Sequence, residues 1–270
     1  ISQSLAGRVG MLTLLPLSYR ELFAAQGDLS FDEYLYRGGY PRLYNVDIPE
    51  NVYYSNYVAT YLDRDVSELV NATNLAQFNL FLRILATNVG QLTNIASMAS
   101  DVGVTTKTLR AWLSILEQSY IVFLLQPYFA NTRKRLVKTP KIYFYDTGLL
   151  CHLLSGGDTS EMERSGTLGP VFENAVIAEL YKCHLNRGET AQLYFYRDSN
   201  GVEVDLVDAT ASSVPELCEI KSSRTYRGSF MRHLDSVGEL LGVDQGRRSV
   251  VMRSDQTTEL NGSTIWTAED

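Results

Sequence analysis

The sequence predicts an α+β and α/β multidomain chain in three parts: a helical segment over 1–75, a winged helix-turn-helix over 76–150 and an α/β domain over 151–270. Three observations carry this expectation. Tyrosine and aliphatic residues recur at three- and four-residue spacing up to about residue 75, as packed helices require. Between 76 and 150, two helical patterns joined by a glycine-containing turn precede two short apolar runs on either side of a basic loop. Beyond 200 the pattern switches to strict alternation, which is the period of a strand.

Taken in order, the chain opens with a strand-like run at 9–14 and Pro16-Leu-Ser18, before a helical Tyr19-Arg-Glu-Leu-Phe23. From residue 31 to 75 the reading is helical, with Tyr53, Tyr57 and Tyr61 forming a packing stripe and Gly38-Gly39 before Pro41 marking a turn. A helix is expected from 75 to about 89. The helix-turn-helix follows, with Ile95 and Ala96 inward on its first helix and Leu109, Trp112, Leu113 and Leu116 inward on its Thr-capped second. That second helix presents Thr105, Thr106, Lys107 and Arg110 outward. The runs at 121–127 and 141–145 flank a loop carrying Arg133, Lys134, Arg135 and Lys138, the pattern of a wing that meets phosphates. Asp146 stands where a helix N-cap belongs, and 155–160 reads as a linker. A helix around Glu173, a strand at 192–197, a tight turn at Asn200-Gly201, the hairpin, a helix from 229 to 241 and a last strand at 248–252 complete the series.

Composition is that of a globular chain: 45% apolar and 20% charged over 270 residues, enough for several cores. Cys151, Cys183 and Cys218 are too far apart for a zinc site, so reduced thiols and a cytoplasmic home are expected. No apolar run approaches a membrane span, and the start at Ile1 reads as the middle of a longer protein. The net charge of −7 is uneven. Residues 76–150 hold eight basic and three acidic residues, Lys141 among the former, so phosphate contact is expected there.

The chemistry concentrates in the hairpin. Its first arm, Gly-Val-Glu-Val-Asp-Leu-Val-Asp from Gly201, puts Glu203, Asp205 and Val207 on one face; its second, ending Cys-Glu-Ile-Lys221, puts Glu219 and Lys221 on one face. Asp205 can meet both at cross-strand distance. Two carboxylates beside a Lys suit a hard divalent cation and phosphoryl chemistry, although charges on an alternating strand also arise simply from solvation.

The order of helix Glu173, strand Asp205 and hairpin Glu219-Ile-Lys221 resembles the PD-(D/E)XK nuclease superfamily. The resemblance implies a restriction-endonuclease-like α/β fold, with Glu173, Asp205, Glu219 and Lys221 catalytic and the three carboxylates holding Mg²⁺ or Mn²⁺. A second resemblance runs along essentially the whole chain. Ser4-Leu-Ala-Gly-Arg8, Arg37-Gly-Gly-Tyr-Pro41, Leu62-Asp-Arg-Asp65 and Lys141-Ile-Tyr-Phe-Tyr-Asp-Thr-Gly-Leu149 are similar to the C-terminal part of a family of bacterial and archaeal AAA-type ATPases. It implies that Arg8 is the tail of a nucleotide site and that ATP binds only in a longer form with an ATPase domain upstream. No Gly-X4-Gly-Lys-Ser/Thr occurs here, so no ATP hydrolysis is expected of this chain. The expected function is the effector region of such an ATPase, a winged helix binding duplex DNA coupled to a metal-dependent phosphodiesterase. The alternative is a regulatory or protein-interaction module whose nuclease-like fold is only a scaffold; oligomeric state stays open.

Overall fold

A computed structural model describes residues 13–61, 75–129 and 136–270, so Arg8, Arg133, Lys134 and Arg135 lie outside the described residues. Helices come first. Ser18 starts α1 (Tyr19–Gln26) with a capping box in which its hydroxyl accepts from Glu21 N–H and the Glu21 carboxylate accepts from Ser18 N–H, both at the N-terminal end. Then come α2 (Phe31–Arg37), α3 (Arg42–Asn45), α4 (Glu50–Tyr61) and α5 (Leu75–Thr87). Tyr53, Tyr57 and Tyr61 do form a stripe along α4, Tyr57 stacking on Tyr61 with ring planes 3° apart.

The glycine turn separates α6 (Ile95–Val102) from α7 (Thr106–Gln118), the latter burying Leu109, Trp112, Leu113 and Leu116. In α6 the buried residues are Met98, Ala99 and Val102. Ala96, expected inward, is exposed, because the apolar stripe continues from Ile95 at three- and four-residue steps.

The two apolar runs around the basic loop are β1 (Val122–Pro127) and β2 (Lys141–Phe144), paired antiparallel. They are not a separate ribbon: β1 also pairs in parallel with β3 (Leu193–Arg197), so one sheet runs across residue 150. Between them the chain makes α8 (Thr147–Leu153), α9 (Thr159–Ser165) and the long α10 (Leu168–Asn186). The expected linker thus ends in a short helix, capped by Asp158 on Glu161 N–H.

The hairpin is β4 (Glu203–Asp208) and β5 (Glu216–Lys221), with Leu206 opposite Cys218 and Val207 opposite Leu217. Helix α11 (Met231–Leu241) crosses over to β6 (Arg248–Met252), parallel to β5. Two further strands follow that the sequence reading lacked: β7 (Thr258–Leu260) and β8 (Ser263–Thr267), joined at Asn261-Gly262 with φ of 53° and 82°. The sheet order is β2-β1-β3-β4-β5-β6-β8-β7. Alternation on β5 divides two cores: Cys218 and Ile220 join the core of α10 residues such as Phe172, whereas Leu217 packs with Leu234 and Val237 of α11. The fold is therefore mixed α/β, helices followed by a mixed eight-stranded sheet among the described residues.

The helical part is keyed to the sheet through one buried carboxylate. Asp146 at the end of β2 caps α8 through Leu149 N–H (2.7 Å), and also accepts from Gly39 N–H (2.7 Å) and the Tyr54 hydroxyl (2.8 Å). Burial pushes its pKa up, and those three donors oppose the shift. Glycines are required where the backbones close on it. A Cβ on Gly148 would sit 2.2 Å from Tyr54 Oη and 2.5 Å from the Arg37 carbonyl oxygen. Elsewhere Arg253 spans from the end of the sheet to Asp32 on α2 with two hydrogen bonds of 2.9 and 2.6 Å, and to Glu163 at 2.9 Å.

This packing predicts opposite outcomes for two glycines. Gly148→Ala should cost about 3 kcal/mol, because no rotamer relieves a clash with backbone. Gly169→Ala, in the first turn of α10 with its nearest foreign atom 3.8 Å away, should gain up to about 1 kcal/mol. Urea unfolding of both variants measures this, and a Gly148→Ala midpoint equal to wild type would show that the junction is not tight.

Candidate active site

The hairpin register sets Asp205 on β4 across from Glu219 on β5, two residues from Lys221. Both residues are buried, each 8% exposed, on two interior strands of the sheet. Lys221 bridges them: Nζ lies 2.7 Å from Glu219 Oε1 and 3.3 Å from Asp205 Oδ2. Asp205 Oδ2 also accepts from Ile220 N–H at 2.8 Å, which fixes the carboxylate against β5. The Lys221 side chain is still 33% exposed, so its ammonium reaches solvent from the carboxylate pair.

Glu219 is the strained member. Its Oε1 has Lys221, but Oε2 is buried and meets no hydrogen-bond donor among the described residues. Burial and the charge of Asp205 push its pKa up to about 7, with Lys221 pulling the other way. For Lys221 burial works against the charge, yet Asp205 and Glu219 outweigh it and the pKa is raised.

Glu173 projects from α10 into an adjoining cluster. Its Oε1 accepts from the Tyr143 hydroxyl (2.6 Å) and from Lys141 Nζ (3.3 Å). Lys141, 3% exposed, also pairs with Glu203 Oε1 at 2.6 Å and lies 5.4 Å from the centre of the Phe195 ring. Glu203 Oε2 in turn takes Arg197 at 3.0 Å. Burial and the charge of Asp205 raise the pKa of Glu173, opposed by Lys141 and Tyr143, so the two clusters feel each other.

The four expected catalytic residues thus occupy two adjoining ion clusters, Asp205 with Glu219 and Lys221 in one, Glu173 in the other. Among the described residues no group of three or more His, Cys, Asp and Glu side chains is placed to hold a metal ion. The three-carboxylate set of Glu173, Asp205 and Glu219 is therefore not assembled as a ligand cage, since the Glu173 carboxylate is turned onto Lys141 and Tyr143. Asp205 and Glu219 alone do suit one hard divalent cation. Mg²⁺ typically takes one or two carboxylates and completes its shell with water, and the bare Glu219 Oε2 is an oxygen lacking its partner.

Sequence reasoning missed Lys141, Tyr143, Glu203 and Arg197. Lys141 counted toward the basic surplus of the middle segment but is sequestered in the ion cluster, because all four residues of β2 are buried. A lysine inside an otherwise apolar strand run was the available signal, since buried lysines are almost always paired. His233 is half-buried and bonds the Glu203 carbonyl oxygen at 3.1 Å. Among the candidate DNA contacts, Thr106, Lys107, Arg110 and Lys138 are exposed. Thr105 is exposed too, but its hydroxyl is spent capping α7 on Thr108 N–H.

Residues 168–269, which hold Glu173, Asp205, Glu219 and Lys221, match a domain of unknown function, DUF4143. Residues 28–160, which hold Lys141, match another, DUF8612. The chain is also similar to an uncharacterized protein of Mycobacterium tuberculosis and to one of Mycobacterium bovis. Each is 31% identical over 266 residues, covering 98% of this chain and 57% of the relative. The chain thus spans little more than half the length of these curated relatives. No solved structure matches it. No helix among the described residues is long and apolar enough to cross a membrane.

The raised pKa of Glu219 predicts a pH-dependent penalty. Below about pH 4.5 the carboxyl is neutral in the folded and unfolded chains; as pH rises toward 7 only the unfolded chain loses the proton readily, so the folded state loses stability. Glu219→Gln should therefore raise the melting temperature relative to wild type, with a gap that grows between pH 5 and pH 8 to about 1 kcal/mol or more. Melting curves at pH 5 and pH 8 check this; a gap that shrinks with pH contradicts it.

Proposed function

We propose that the chain is the effector region of a larger AAA-type ATPase and acts as a metal-dependent phosphodiesterase on duplex DNA. The observation that carries the reading is the pair Asp205 and Glu219, buried opposite one another with one carboxylate oxygen unpartnered and Lys221 beside them. Like charges buried this close are costly unless a cation compensates them, so a site that keeps both has use for them. The order helix Glu, strand Asp, hairpin Glu-X-Lys, similar to the PD-(D/E)XK superfamily, supports the same reading.

Asp205 and Glu219 would hold one Mg²⁺ or Mn²⁺. A divalent ion there supplies a bound water of lowered pKa and offsets charge on the phosphoryl oxygens. Lys221, bonded to both carboxylates but one-third exposed, would orient the attacking water or meet the negative charge that develops on the phosphate. Glu173 is held in place by Lys141 and Tyr143 and sets the field behind Asp205. Thr106, Lys107 and Arg110 on the exposed side of α7, with Lys138, would be the DNA-facing surface of a winged helix, where Lys and Arg contact phosphates; Arg133, Lys134 and Arg135 join this reading by sequence alone. Arg8 and ATP belong, in this reading, to the nucleotide site of the longer protein.

A single assay of Mn²⁺-dependent cleavage of labelled duplex DNA tests the proposal, with ion binding followed in parallel by calorimetry. Lys221→Ala should lower cleavage by 100-fold or more, the order expected for one well-placed charged group, while Mn²⁺ still binds. Asp205→Asn should weaken binding and cleavage together. Wild-type protein that binds Mn²⁺ and DNA yet leaves the DNA uncut would exclude the activity.

A further inference from the structure

The two ion clusters differ in how much room they leave for a cation. Lys221 contacts one oxygen of each carboxylate, Asp205 Oδ2 and Glu219 Oε1, leaves Glu219 Oε2 without a donor, and is one-third exposed and able to withdraw. The neighbouring pair, Glu173 and Glu203, is already neutralised from within. Lys141 Nζ lies between them at 3.3 and 2.6 Å, at 3% exposure, and its ammonium also faces the Phe195 ring. Tyr143 takes a second bond to Glu173 Oε1 and Arg197 takes Glu203 Oε2. A buried ammonium with two carboxylate partners, on a strand whose neighbours are all buried, has nowhere to withdraw to.

We propose that Lys141 is a resident cation that restricts this site to one divalent ion. Its ammonium holds, between Glu173 and Glu203, the place where a second metal ion would otherwise sit, so Lys141 is a positioning residue and not a ligand. The inference rests on the reading of Asp205 and Glu219 as a divalent site. It adds the stoichiometry: one exchangeable metal ion, and one fixed ammonium delivered by β2, outside the segment that carries the other site residues. The buried, unpartnered Glu219 Oε2 is the independent observation that a ligand is expected at the first position, and the Lys141 ammonium seated between Glu173 Oε1 and Glu203 Oε1 is the observation that none is expected at the second.

Counting bound Mn²⁺ by calorimetry, with the Mn²⁺ electron paramagnetic resonance spectrum as a check for spin-coupled pairs, tests this on the whole 270-residue chain. Wild type should bind one Mn²⁺ with no coupled-pair signal. Lys141→Gln, which removes the ammonium from Oε1 of both glutamates, should bind two and show the coupled signal, whereas Lys141→Arg should still bind one. Two ions on wild type, or a folded Lys141→Gln protein that still binds one, would overturn the role of Lys141 and leave the Asp205–Glu219 site standing. No ion on wild type would overturn that site itself, and the inference with it. Should Lys141→Gln fail to fold, the wild-type count decides alone: one supports the proposal and two refutes it.

Discussion

Buried carboxylates have to be matched by positive charge, and that constraint shapes the sheet of this protein. Glu173, Glu203, Asp205 and Glu219 come together from α10, β4 and β5, and left alone their buried like charges would repel one another. Two lysines answer them. Lys141 is sealed in between Glu173 and Glu203, with Tyr143 and Arg197 adding a further bond to each, while Lys221 is one-third exposed and leaves Glu219 Oε2 without a donor. The first cluster reads as structure and the second as a place for something to bind. A fold selected for stability alone would more simply have filled these positions with apolar residues, since replacing buried ion pairs by packed hydrophobes is often neutral or stabilising.

The same strand that delivers Lys141 also ties the helical half to the sheet. Three residues beyond Tyr143, Asp146 takes Gly39, Tyr54 and Leu149 as donors, so α2, α4 and α8 are registered against β2 by one carboxylate. That junction explains two short motifs at once. Arg37-Gly-Gly-Tyr-Pro41 needs Gly38 because Tyr54 and Asp146 lie where a Cβ would go and Gly39 because the Leu17 backbone does, and Tyr145-Asp-Thr-Gly148 needs its glycine because the Arg37 carbonyl approaches from the other side.

The hairpin was legible because a strand's period of two is local: once β4 and β5 were placed, Asp205, Glu219 and Lys221 had to share a neighbourhood. Glu173 was legible only through a resemblance, since nothing in helix α10 says which side of the sheet its side chain will reach. Lys141 and Tyr143 were not legible as site residues, because β2 and β4 lie three places apart in the sheet and their meeting depends on the order β2-β1-β3-β4; Arg197, opposite Glu203 across the β3–β4 turn, was within reach of the local pattern. The treatment of the middle segment as separate hid this, for β1 pairs with β3 across the expected division. The β7–β8 hairpin was overlooked although Asn261-Gly262 is a strong turn signal, because the strands beside it are short and β7 is exposed along its length.

The central claim is that Asp205 and Glu219 form a binding site for one divalent cation, with Lys221 giving way to it. Anomalous diffraction from crystals of the wild-type chain soaked in Mn²⁺ addresses it directly. The account predicts a single anomalous peak within coordination distance of Asp205 and Glu219 Oε2, with the Lys221 ammonium moved off Glu219. Crystals without a peak at this position, and with Lys221 still bridging the two carboxylates, would contradict it.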